Sequence, residues 1–122
     1  MDCRAAAHAL NQISVLMELH DEDAHSIKAM ALAARTVAAL GDLPVDVALT
    51  RELAAPDVVS PAAMAVLRDL AESNSSSLLE RLQEETPEGL MEMLRVPGLG
   101  PARIRSIHEH LDIDTLQDLE TA

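Results

Sequence analysis

Apolar residues recur along this chain every three or four positions and almost nowhere in alternation, the spacing of helices that bury one face. Residues 4–19 carry Leu10, Ile13, Leu16 and Met17 on one side, and the polar break His20-Asp21-Glu22-Asp23 follows. Residues 25–40 place Ile27, Met30, Ala31, Ala34, Val37 and Ala38 on a second stripe that stops at Gly41. Pro44 opens a shorter helix with Val45, Ala48 and Leu49. Pro56 and Pro61 bracket a turn, after which Ala63, Val66, Leu67 and Leu70 give another face. Leu78, Leu79 and Leu82 mark the next helix, and Thr86-Pro87-Glu88 starts one bearing Leu90, Met91 and Leu94. No window shows the β-branched alternation of a strand between hairpin turns. The pattern predicts an all-α chain. The small polar run Ser73-Asn74-Ser75-Ser76-Ser77 is the natural joint, dividing it into segments 1–73 and 74–122.

The last of these helices runs into Leu94-Arg95-Val96-Pro97-Gly98-Leu99-Gly100-Pro101-Ala102-Arg103-Ile104-Arg105. Glycines at 98 and 100 can take positive φ and leave no Cβ in the way, so a phosphate oxygen can come close to the backbone. The N–H groups of Gly100, Ala102 and Arg103 open the next helix and form an anion site, while Pro101 occupies the first helical position, where its missing donor costs least. Ile104, Ile107 and Leu111 continue at helical spacing, and Asp112–Leu119 starts a second short helix. This stretch resembles the helix-hairpin-helix motif. The resemblance implies a sequence-independent grip on a nucleic-acid backbone, with Arg103 and Arg105 flanking the phosphate and Arg95 assisting. The competing reading is a Pro-Gly turn that only joins two helices.

Composition qualifies that reading. The chain has 122 residues, 48% of them hydrophobic, without a single Phe, Tyr or Trp, so its core is built by close aliphatic helix packing. Stacking platforms for single-stranded nucleic acid are absent. The formal charge of −12 opposes DNA, whose affinity comes largely from Lys and Arg releasing counterions, so a weak or composite contact is expected. With one lysine, Lys28, against eight arginines, the acidic surface also suits work at high salt. Cys3 is the one cysteine, which excludes an intrachain disulfide and a thiolate metal cluster and fits a reducing cytoplasm. No secretory leader or membrane span is visible, so a cytoplasmic protein without a membrane partner is expected.

Almost the whole chain resembles the amino-terminal region of bacterial X-family DNA polymerases. The residues that carry this are Val15–Leu19, Ile27–Ala29, Ala33–Leu40 and, most specifically, Pro87-Glu88-Gly89-Leu90-Met91-Glu92-Met93-Leu94 joined to Val96–Gly100. The resemblance implies a compact helical bundle, SAM-like and similar to the polymerase beta amino-terminal domain. It would comprise a lyase-type four-helix segment and a second helical segment, each with one hairpin on the DNA backbone beside a short gap. It also implies a K⁺ or Na⁺ held by the main-chain carbonyls of Leu94, Val96 and Leu99; no other cofactor is expected. The departures are specific. The first hairpin should lie at Ala55–Ala62, yet Asp57 and Val59 stand where the family has glycines, so it should survive as architecture without its grip. The lyase lysine should lie on the following helix, which reads Pro61–Arg68 and has none. Arginine stays protonated and cannot replace an amine nucleophile. The nucleotidyl-transfer aspartates lie beyond this stretch of the family, so no enzyme is expected in this chain.

Other constellations were weighed against plainer roles. His20-Asp21-Glu22-Asp23-Ala24-His25 holds five possible metal ligands in six residues, but imidazoles five apart do not share a helical face and such a run is also a solvated N-cap turn. His108 and His110 point in different directions. The methionines read as packing, and the acidic stretch from Glu109 to Glu120 as a solvated face. Two functions remain open: a non-catalytic DNA-backbone module for gapped or continuous duplex, with a role in repair, and an acidic protein-interaction domain that keeps the scaffold and has lost DNA. An enzyme survives only if the acidic loop holds a metal.

Overall fold

The computed structural model describes residues 1–55, 58–96 and 99–111, with side chains up to Ser106. The described residues form seven helices: α1 (Cys3–Leu19), α2 (Ala24–Ala38), α3 (Val45–Thr50), α4 (Pro61–Ser73), α5 (Ser77–Glu85), α6 (Glu88–Met93) and α7 (Pro101–Leu111). No strand occurs among the described residues. The all-α expectation holds, and the helix starts follow from local chemistry. Asp2, Asp23, Ser60 and Ser76 each accept a backbone N–H three residues on, the N-cap arrangement. Pro44 and Pro87 precede α3 and α6, their fixed φ leading into the helix. The stripe of α2 ends two residues earlier than its spacing suggests, and Gly41 then turns the chain at φ +62°.

That turn closes onto the amino terminus. The Cys3 and Arg4 N–H groups donate to the Leu43 and Gly41 carbonyls at 2.8 and 2.9 Å, and Val45 N–H donates to the Met1 carbonyl at 3.0 Å. The donors that open α1 are therefore spent inside the fold.

Helix α1 is the centre of the bundle, packing on α2 most extensively and also on α3, α4, α5 and α7. Its Leu10, Ile13 and Leu16 share one buried cluster with Met30 and Val37 of α2, Val66, Leu67 and Leu70 of α4, Leu82, Met93 and Ile104. The joint after Ser73 is short, closed by Asn74 in a left-handed conformation at φ 57°. Two polar contacts cross between distant parts of the chain. His20 Nε2 lies 2.7 Å from the buried Thr86 hydroxyl, and Arg105 Nη1 donates to the Glu18 carbonyl at 2.8 Å and lies 3.1 Å from Asp21 Oδ1. No described helix is long and apolar enough to cross a membrane.

Candidate nucleic-acid interface

The segment that joins α6 to α7 is built by successive short-range bonds. Leu94 N–H donates to Leu90, Arg95 to Glu92 and Val96 to Met93, each at 3.0 to 3.2 Å, so α6 tightens as it ends. Leu99 N–H then donates back to the Val96 carbonyl at 3.1 Å, and Ile104 N–H closes the first full turn of α7 on the Gly100 carbonyl at 3.0 Å. Pro97 and Gly98, and the predicted short helix from Asp112, lie outside the described residues.

Pro101 is the first residue of α7, the position its ring suits. Ala102 and Arg103 follow, both exposed, and helix geometry gives their N–H groups no acceptor within α7. Gly100 precedes them and has no side chain with which to cap them, in contrast to Asp2, Asp23, Ser60 and Ser76. Its conformation differs from the expected one, because its φ is not positive. A Cβ built at Gly100 would meet nothing within 4 Å. The fold itself thus makes no demand for glycine here, and the space a side chain would fill opens to solvent.

The arginines occupy different situations. Arg95 and Arg103 are exposed. Arg105 is half-buried and holds the end of α1 through the Glu18 carbonyl and the Asp21 carboxylate, a partnership between residues more than eighty apart that no local spacing announces. Its charge is already matched within the chain.

The first hairpin, between α3 and α4, is a different object. Val59 is buried in the core without a positive φ, and the Ser60 hydroxyl accepts from Ala63 N–H at 3.3 Å. The opening of α4 is closed by its own side chain. Asp57 lies outside the described residues. The Ser60-Pro61 pair is a recognisable helix-start signal that would have disclosed this cap from sequence.

In the acidic loop, His20 is turned inward to Thr86 and Asp23 caps α2 through Ser26. No three His, Cys, Asp or Glu side chains converge on a metal-sized position among the described residues. Burial, with the nearby Asp2 and Glu52 charges, pushes the Cys3 thiol up from its ordinary range, the opposite of what a reactive cysteine needs.

No protein-family model matches the chain. Over 113 residues it is 29% identical to the DNA polymerase/3'-5' exonuclease PolX of Bacillus subtilis (strain 168), a match covering 93% of this chain and 19% of that polymerase. The likeness relates the chain to one segment of an X-family DNA polymerase. It spans about a fifth of the length of that relative.

Proposed function

We propose that the chain is a non-catalytic, sequence-independent DNA-binding module that grips the sugar-phosphate backbone at the start of α7, in the manner of a helix-hairpin-helix within a SAM-like bundle. The observation that carries this reading is Gly100, exposed and sterically undemanded, directly before two exposed N–H groups at a helix start. Gly98, Gly100, Ala102 and Arg103 supply the phosphate contact, and Arg95 adds charge beside it. Arg105 contributes by fixing α7 against α1. A K⁺ or Na⁺ held by the carbonyls of Leu94, Val96 and Leu99 would organise the same turn; the Val96 oxygen, though it accepts from Leu99, keeps a second lone pair for it. The similarity to part of a DNA polymerase supports DNA as the partner; gap binding during repair, in the cytoplasm, completes the proposed setting.

The chemistry is binding alone. The single lysine, Lys28, lies on α2 rather than on α4, so the Schiff-base step has no amine on the helix after the first hairpin.

A second reading, an acidic protein-interaction domain, draws support from the self-capped first hairpin and the net charge of −12. Fluorescence anisotropy separates the two, using a labelled gapped duplex with a 5'-phosphate in K⁺ at low and moderate salt. The DNA reading expects binding that weakens with salt. It also expects loss of at least tenfold in Gly98→Asp/Gly100→Val with helical circular dichroism retained, which is about 1.4 kcal/mol. Absence of wild-type binding at low salt would favour the protein partner.

A further inference from the structure

A groove runs beside the proposed backbone site. Asn11 and Gln12 of α1 and Gln83 of α5 line its polar side, and Val15, Leu16, Met91 and Leu94 its apolar floor, enclosing about 230 Å³. Arg95 stands at its edge. It continues into an open depression that reaches Leu99, Gly100 and Pro101, and Val15, Leu94 and Arg95 line both.

The chain holds 21 acidic residues, and the depression at the carboxy-terminal end of α1 is lined by Glu18, Asp21 and Glu22 together with Lys28 and Arg105. Neither the groove nor the depression beside Gly100 is lined by a carboxylate, and the one charged group on both is Arg95. An anionic chain can therefore lie along it without meeting a carboxylate in its lining.

We propose that this groove takes a single unpaired, unstacked DNA base next to the phosphate held at the start of α7. The proposal rests on the backbone-binding function above. A base is a flat ring with apolar faces and a rim of donors and acceptors. The aliphatic floor matches the faces, and the carboxamides of Asn11, Gln12 and Gln83, each offering both donors and an acceptor, match the rim. Apolar side chains can sandwich an extruded base without aromatic rings, with a smaller gain than aromatic stacking gives. Because the carboxamides can pair with any base edge, recognition is of the unpaired state rather than of sequence. The site would give the module a preference for gaps and flaps, where such bases occur.

The test compares three DNA dumbbells of the same duplex sequence by anisotropy: one closed, one with a one-nucleotide flap, and one with that flap nucleotide abasic. The flap dumbbell should bind three- to tenfold more tightly than the closed one, and the abasic flap should lose the gain. Met91→Trp, which fills the groove, and the exposed substitution Gln83→Leu should each remove the flap preference while the affinity for the closed dumbbell is retained. Gly100→Val should weaken all three. Equal affinity for flap and abasic flap, or a flap preference that survives both groove substitutions, overturns the base site and leaves the backbone reading standing. No binding to any dumbbell at low salt overturns both.

Discussion

The Thr86 hydroxyl has one hydrogen, and it donates it to the Leu82 carbonyl at 2.7 Å. The 2.7 Å contact with His20 must then be made with Nε2 as the donor, which fixes the proton on that nitrogen whether the ring is neutral or charged. His20 is thus a positioning group for the end of α1. Thr86→Val should cost about 1 kcal/mol, seen as a lower urea midpoint at unchanged slope, since a buried hydroxyl bond is lost while volume is kept. At Cys3, burial raises the folded-state pKa, so the thiol favours the native state fully below the ordinary thiol range, and that contribution is lost as pH rises through the folded value. Stability should fall at alkaline pH in the wild type and fall less in Cys3→Ala, and a thiol reagent should react with Cys3 at the rate of unfolding. Sequence placed His20 among potential metal ligands because its neighbours are acidic. Its partner is 66 positions away, and nothing local could have named it. At Gly100 the sequence allowed a left-handed backbone, whereas the structure has open space around the residue and no positive φ.

Helix beginnings divide into those closed by a side chain of the chain itself and those, at α3, α6 and the start of α7 after Gly100, that have no such cap. Ser60 and Ser76 satisfy α4 and α5, and their replacement by Ala should each cost about 1 kcal/mol of stability. Gly100→Ser should act in the opposite sense on the fold, adding a few tenths of a kcal/mol by capping α7, and on the proposed function it should weaken DNA binding because the serine oxygen takes N–H groups that the proposed site offers to phosphate. A thermal melt and the gapped-duplex titration on one preparation read both signs. At this scale the sequence was largely transparent. Caps and prolines set the starts, and the apolar stripes named Leu10, Ile13, Val37, Leu67 and Ile104, all of which are buried. Partnership was less visible, because an apolar stripe states that a face is covered without saying by what.

Across the molecule, charge and burial pull in separate directions. A net charge of −12 repels itself in the compact state, so added salt should raise the melting temperature while it lowers DNA affinity, the first by screening self-repulsion and the second by counterion competition. Arg105 joins the two effects. Its pairing with the largely exposed Asp21 contributes little as an ion pair, yet its bond to the Glu18 carbonyl ties α7 to the bundle. The serine-rich joint was readable as the place where one helix stops and another starts, but the spread of α1 contacts across it was not, since those contacts span most of the chain. That spread bears on the order of assembly. Helix α1 is synthesised before the helices it packs on and cannot complete its surroundings until residues beyond 100 have followed, so among these its earliest stable partner during synthesis is α2 and its last is α7. Amide exchange should reflect this history in the finished protein. The middle of α1 should exchange only through global opening, and α7 should exchange through its own detachment from a bundle that otherwise stays shut.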